Sequence, residues 1–333
     1  MKVGVIGLGY WGPNLMRNLL SFREIQVIGC EKDVKRLEEV KKMFPNAEFV
    51  RDYRELIPNK EIKAVLVSTP VSSHYEIAKE FLNEGKDVFV EKPLAESSDK
   101  AQELIKLAEE KGCILMVGHI FEYNDAVIKI SDIIKNDEIG EVQYITSTRV
   151  NLGIHRKDVN VLWDLAPHDL SIIFRWIDSE VISVSTMAKA SIMNGLPDVA
   201  FIQLGFDCGM IADIQVGWLA PSKVRKTIVV GSKKMIVYDE TNPEEKVKIY
   251  NSGVEFENPH DYGEFLLSYR SGDIISPTLS NKEPLKVEME HFLECVKERK
   301  KPLTDGYKAL KVIKVIEMAE RSFREKRIVY KEG

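Results

Sequence analysis

The chain has 333 residues, 44% hydrophobic and 30% charged, with a formal net charge of −5. That is about twice the length of a typical single domain, so two domains with separate cores are expected. Lys and Arg are dispersed among Asp and Glu, which excludes the concentrated basic face of a nucleic-acid binder. No apolar run reaches the ~18 residues of a membrane span, and the N-terminus reads as a strand, not a signal peptide. The expectation is a soluble cytoplasmic protein with neither nucleic-acid nor membrane partners. Cys30, Cys113, Cys208 and Cys295 lie far apart without zinc-ligand spacing, so reduced thiols and no metal site are expected.

Strand and helix signals alternate through the first 120 or so residues. Lys2 to Ile6 reads as a strand and Trp11 to Ser21 as a helix, followed by a strand over Ile25 to Cys30. Ala64 to Ser68 is a buried-strand run, Glu76 to Glu84 a helix, and Asp87 to Val90 another strand. Ser98 to Lys111 is helical, with Ala101, Leu104, Ile105 and Ala108 on one face, and Ile114 to Val117 closes the series. The alternation predicts parallel strands joined by right-handed crossovers, a doubly wound α/β domain with its ligand beyond the carboxyl ends of the strands.

A helix over Asp125 to Lys135 leads into strand-like segments. These are Glu141 to Val150, Val181 to Ala190, Val199 to Phe206, Ile211 to Trp218, Arg225 to Val230 and Met235 to Asp239. Short turns between them predict a mostly antiparallel open sheet in an α+β domain, interrupted by a helical segment near Trp163 to Trp176. Two helices finish the chain. The expected division is 1–120 and 121–333, with a C-terminal helix packing back on the first domain. The open face of the sheet is expected to build a homodimer or homotetramer.

Gly7-Leu8-Gly9-Tyr10-Trp11-Gly12 follows the first strand and opens the first helix. Gly7 permits the tight turn, Gly9 lets backbone approach a pyrophosphate, and Gly12 lets helix and strand pack closely. Free N–H groups at the helix start favour phosphate charge. Tyr10 and Trp11 belong to the same loop. Glu31, after the second strand, can accept bonds from ribose hydroxyls and repel a 2′-phosphate, so NAD is expected, with Lys32, Lys35 and Arg36 leaving NADP open. Glu91-Lys92-Pro93 stands at the strand end where a nicotinamide belongs, and a lysine there can stabilise a developing alkoxide. In Trp163-Asp164-Leu165-Ala166-Pro167-His168-Asp169, Asp164 and His168 are one helical turn apart on a shared face, with Asp164 suited to cap the helix. His168 can take a hydroxyl proton as hydride leaves.

In this order the motifs GLGYWGP (7–13), STPVSSHYEIA (68–78), EKPLA (91–95), VGHIFEYN (117–124), WDLAPHD (163–169) and KPLTDG (301–306) resemble the glucose–fructose oxidoreductase/inositol dehydrogenase (Gfo/Idh/MocA) family. The resemblance covers essentially the whole chain. It implies that Lys92 polarises the reacting hydroxyl, that His168 is the general acid/base, and that Asp164 orients substrate. Thr69, Pro70 and His74 would line the nicotinamide side, with Glu91 and His119 near cofactor or substrate and Tyr123 on the substrate side.

Asp125 stands where family members often carry proline after Tyr123-Asn124, and Asn160-Val161-Leu162 replaces a glycine-rich lead-in. Both departures reshape the substrate side, where Asn160 and Trp163 are candidates. The stretch from Asp158 to Asp169 looks like the branch acting on nucleotide-linked sugars, of UDP-N-acetylglucosamine 3-dehydrogenase type. Arg149, Arg156, Lys157 and Arg225 are then candidate cations for the diphosphate. A free sugar or polyol dehydrogenase, or a redox-neutral glycosidase using bound NAD, would carry much the same motifs. A nucleotide sensor would need the glycine loop but not the Lys92 and His168 pair.

Overall fold

A computed structural model of the protein describes residues 1–153, 155, 159–257, 266–280 and 282–331. The chain divides into two compact units: Met1–Asn124 with Lys282–Glu317, and Asp125–Asn281 with Met318–Gly333.

The first unit is built on β1 (Lys2–Ile6), β2 (Gln26–Cys30), β3 (Glu48–Val50), β4 (Ile62–Val67), β5 (Asp87–Glu91) and β6 (Leu115–Gly118). They lie in the order β3-β2-β1-β4-β5-β6, and every pair is parallel. Helices α1 (Gly12–Leu20), α2 (Val34–Met43), α3 (His74–Asn83) and α4 (Ser98–Lys111) make four of the five crossovers, and the short turn Tyr53–Leu56 lies on the connection from β3 to β4. The order reverses between β1 and β4, which is the switch point of a doubly wound sheet and opens a crevice at the strand ends. Local chemistry sets the helix limits. The Ser97 side chain accepts from Lys100 N at the start of α4, and Gly112 ends it in the left-handed region at φ 62°.

The second unit begins with α5 (Asp125–Lys135), β7 (Val142–Val150) and α6 (Val161–Trp176). Then come β8 (Val181–Lys189), β9 (Val199–Phe206), β10 (Ile211–Gly217), β11 (Val224–Gly231), β12 (Met235–Asp239), β13 (Val247–Glu257) and β14 (Leu266–Ile275). The remaining helices are α7 (Pro284–Glu298), in the first unit, and α8 (Gly306–Glu325), which begins in the first unit and ends in the second. A final strand, β15 (Val329–Tyr330), completes a nine-stranded sheet ordered β14-β13-β12-β11-β7-β10-β9-β8-β15. It is antiparallel except where β10 pairs with β7 in parallel. Among the described residues no helix is long and apolar enough to cross a membrane.

Helix α7 joins the first unit through an apolar stripe: Leu285, Met289, Phe292, Cys295 and Val296 are buried in one cluster with Leu15, Leu19, Phe89 and Met116. The Phe89 and Phe292 rings meet edge-on at 5.7 Å. In the second unit, α6 covers one face of the sheet with Leu162, Ala166, Leu170 and Ile173. Alternation along β7 puts Ile145, Ser147 and Arg149 on that covered face and leaves Tyr144, Thr146 and Thr148 on the other.

Burying Arg149 in this way demands a counter-charge. Its Nε donates to Asp169 Oδ2 at 2.8 Å and its Nη1 to Glu240 at 3.3 Å, while Ser147 Oγ donates to Asp169 Oδ1 at 2.8 Å. The Arg149 and Asp169 side chains are only 5% and 2% exposed, so water cannot replace either partner. Asp169→Ala is therefore expected to destabilise the protein by about 3–5 kcal/mol in urea unfolding, the usual cost of stranding one buried charge. A loss under about 1 kcal/mol would show that the pair is solvated in solution.

Candidate active site

In the first unit each glycine of the loop has a separate steric reason. Gly7 lies at φ +88°, and a Cβ there would come within 2.8 Å of Thr69 N. A Cβ on Gly12 would sit 2.2 Å from the Gly7 carbonyl oxygen, so α1 can start against the end of β1 only without a side chain. A Cβ on Gly9 would meet nothing within 4 Å, which leaves open backbone for a ligand to approach. Trp11, at the N-cap of α1, makes no side-chain capping bond; Pro13 has no N–H and Asn14 N already donates to Trp11 O at 2.9 Å, so in the first turn it is the Gly12 N–H that an anion could use. Tyr10 is 81% exposed beside it. The loop fits a dinucleotide pyrophosphate, with Gly9 to Gly12 the residues that would hold it.

Two charged side chains brace the loop. Glu31 accepts from Leu8 N at 2.8 Å and from Asp33 N at 3.0 Å. Arg36 donates from Nε to Leu8 O at 2.6 Å and from Nη2 to Gly9 O at 2.7 Å. Arg36 thus supports the glycine turn in addition to being a cation near Glu31, a role its sequence position did not reveal. At the next strand end, Ser68 Oγ donates to Gly7 O, and the buried His74 ring spans the Thr69 carbonyl (2.8 Å) and the Pro93 carbonyl (2.9 Å). His74 therefore ties the ends of β4 and β5 together, and Pro70 is exposed beside them.

Glu91 ends β5 opposite Gly118, where a Cβ would lie 3.0 Å from Glu91 Oε2. Burial pushes the Glu91 carboxyl up to about 7, against the charge and N–H of Lys92, which lower it. His119 is buried with neither ring nitrogen hydrogen-bonded, and burial, then the charges of Lys92 and Lys308, bring it down to about 3. Glu122 pairs with Lys308 at 2.7 Å. Glu288, on α7, is fully buried with both oxygens unbonded, and burial holds its carboxyl well above the usual range, helped by Glu91 and Glu122. Three carboxyl groups thus share surroundings with two lysines, and burial disfavours the charged form of Glu288 most strongly. Tyr123 is buried, its hydroxyl 3.2 Å from Thr304 Oγ1.

Glu288 did not figure in the sequence-derived site. Its signal was a charged residue within an apolar stripe, three positions after Leu285 and four before Phe292.

In the second unit, α6 carries the other candidates. The helix starts earlier than the sequence indicates: Asn160, not Asp164, is the N-cap, its Oδ1 accepting from Leu162 N and Trp163 N. Asn160 Nδ2 also donates to Glu320 at 2.6 Å. Asp164 falls in the first turn, and Pro167 consequently lies inside the helix, where it lacks the N–H that would bond the Trp163 carbonyl. Asp164, His168 and Trp163 are half-buried, and Asp164 Oδ2 accepts from Trp218 Nε1 at 3.1 Å.

Asp169 faces the other way, into the Arg149 network. Arg149 and Arg225 both bond Glu240, so the structure already supplies each with a partner anion. Arg156 and Lys157 lie outside the described residues. Among the described residues no group of His, Cys, Asp or Glu side chains is arranged to hold a metal ion.

Two family descriptions match the chain: an oxidoreductase family, NAD-binding Rossmann fold, over residues 1–119, and an oxidoreductase family, C-terminal alpha/beta domain, over 132–331. The chain belongs to this Gfo/Idh/MocA family and is an NAD(P)-dependent oxidoreductase acting on CH–OH groups. It is 25% identical to the NADP⁺-dependent scyllo-inositol 2-dehydrogenase IolW of Bacillus subtilis, over 99% of this chain and 95% of that protein. It is 21% identical to a UDP-N-acetylglucosamine 3-dehydrogenase of Acidithiobacillus ferrooxidans, over 94% of each. In structure it resembles that dehydrogenase, GnnA, with a TM-score of 0.80 over 98% of both chains. It also resembles GenD2 from gentamicin A biosynthesis, in complex with NAD, with a TM-score of 0.84 at 19% identity over 100% and 97% of the two chains.

The shift at His119 makes stability depend on pH. Its folded value lies below the unfolded 6.5, so the unfolded chain takes up the extra proton and stability falls as pH drops from about 6.5 toward 3. Between roughly pH 8 and pH 5 this term removes about 2 kcal/mol. His119→Leu should lose about 2 kcal/mol less than the native protein over that interval in urea titrations. The Glu91 contribution, which runs the other way from about 4.5 to 7, largely cancels in the comparison. Equal losses in the two proteins would mean that His119 is protonated in the fold.

Proposed function

We propose that the protein moves hydride between a nicotinamide cofactor and a secondary hydroxyl of a sugar, the C3 hydroxyl of a nucleotide-linked sugar such as UDP-N-acetylglucosamine. The observation that carries the reading is Asp164 and His168, half-buried one turn apart on α6, in a chain whose other unit presents Lys92 after the open glycine loop. Gly9, Gly12 and Glu31 hold the cofactor, which supplies the hydride acceptor when bound. His168 takes the hydroxyl proton as the carbinol C–H bond breaks, and Lys92 stabilises the oxygen as it gains charge. Asp164 orients the sugar. In the reverse direction His168 returns the proton to the carbonyl oxygen.

A second reading, a free polyol as substrate, is favoured by the engagement of Arg149 and Arg225 with Glu240, which leaves a diphosphate to Arg156 and Lys157. NADH formation at 340 nm with UDP- and dTDP-sugars, free hexoses and inositols separates the two. Turnover confined to nucleotide sugars supports the first reading and turnover only on free polyols the second. Silence with NAD bound points to redox-neutral glycoside cleavage. His168→Ala should lower kcat/KM by roughly 10²–10⁴-fold while NAD still binds. A fully active His168→Ala variant would remove the residue from the mechanism.

A second copy of the chain is the proposed partner, packed on the uncovered face of the nine-stranded sheet. Tyr144, Ile211, Phe201 and Met187 are exposed on adjacent strands there, with Ile211 in register with Tyr144 and Met187 with Phe201. Phe201→Lys with Ile211→Lys should convert a dimer or tetramer to monomer in light scattering. A native protein already monomeric at micromolar concentration would end this proposal.

A further inference from the structure

Trp218 follows the last residue of β10 and is 2% exposed. A buried indole N–H needs an acceptor, because leaving it unbonded costs about 1–3 kcal/mol. The acceptor here is Asp164 Oδ2, 3.1 Å away.

The ring is fixed on several sides. Trp218 N donates to Asp198 O (2.8 Å), and Trp218 O accepts from Gly153 N (2.9 Å). A Cβ on Gly153 would come 3.1 Å from Trp218 Cδ1, so the chain leaving β7 lies directly against the indole. The His155 ring meets it edge-on with centroids 5.6 Å apart. The start of α6 hangs from the neighbouring residue, since Val161 N donates to Pro197 O at 3.0 Å. Asp198 is itself held, its Oδ2 accepting from Ser191 N and Ile192 N. One short segment, Pro197-Asp198, therefore sets the position of both the indole donor and the helix that carries the carboxylate.

The indole N–H narrows the rotamers open to the Asp164 carboxylate. With one oxygen bound to a rigid indole and His168 one turn further along, Asp164 presents a defined orientation to a ligand. We propose that Trp218 is a positioning residue of the substrate site: its N–H locks the Asp164 carboxylate, and its influence on turnover passes through Asp164. This inference rests on the sugar-binding role given to Asp164 under Proposed function.

The test is a double-mutant cycle on the NAD-loaded enzyme, using whichever of UDP-N-acetylglucosamine or scyllo-inositol is turned over in the substrate panel. Trp218→Phe keeps an aromatic ring and removes the donor. It should lower kcat/KM by about 10- to 100-fold, the size of one hydrogen bond to a charged group, and leave NAD affinity unchanged. Trp218→His, which retains a ring N–H, should recover part of that loss. In an Asp164→Ala background, Trp218→Phe should have no further effect on kcat/KM or, where turnover is too slow, on binding of the same sugar measured by calorimetry.

Equal losses in both backgrounds, or full activity in Trp218→Phe, would overturn the inference and leave the role of Asp164 standing. Full activity in Asp164→Ala alone would overturn that role and this inference with it.

Discussion

The backbone of Gly12 runs so close to the Gly7 carbonyl that one methyl group would overlap it. From this approach follows the start of α1 directly beyond the end of β1, with no side chain capping it. The adjoining strand end is tied to the same turn by Ser68 Oγ on the Gly7 carbonyl, and β4 is tied to β5 by His74. Glu31 and Arg36 hold the loop from its other side. The open glycine turn and the strand ends beside it are thus consequences of one packing constraint, propagated by hydrogen bonds to backbone carbonyls.

Charge is buried in two different ways in the two units. Beneath the nine-stranded sheet, Arg149, Asp169 and Glu240 are matched partner to partner, and the result is a rigid, satisfied network. Near Lys92 the matching is incomplete. Glu288 and His119 are buried without hydrogen bonds, and burial works against the charged form of each, raising the Glu288 carboxyl and lowering the His119 imidazole. Such groups are costly in a purely structural core and are concentrated where proton and hydride chemistry takes place.

Segments with a full period of apolar residues were legible in the sequence. Ser98–Lys111, Asp125–Lys135, Val199–Phe206 and Met235–Asp239 have the limits that pattern and capping residues indicate. Elements with a thin apolar signal were not. Helix α2 buries only Leu37 and Val40, β3 has three residues, and β15 has two that exist as strand only through pairing with β8. The frame of α6 also escaped, since an Asp four residues before a His reads as a cap, while Asn160 wins by accepting from two backbone N–H groups.

By itself the sequence determined the doubly wound sheet, the glycine turn and the family, and it singled out Lys92, Asp164 and His168 as the residues proposed for the chemistry. All of these are expressed in local order along the chain, through turn geometry, periodicity and motif spacing. Only the tertiary structure decided that Arg149 is neutralised by Asp169 and Glu240, that Glu288 is buried with its carboxyl pushed up, and that Trp218 bonds Asp164. Those outcomes depend on which side chains meet after the sheet and helices pack. A side chain's charge state and orientation follow from the water it loses and the partners it gains there, and neither is written in its neighbours along the chain.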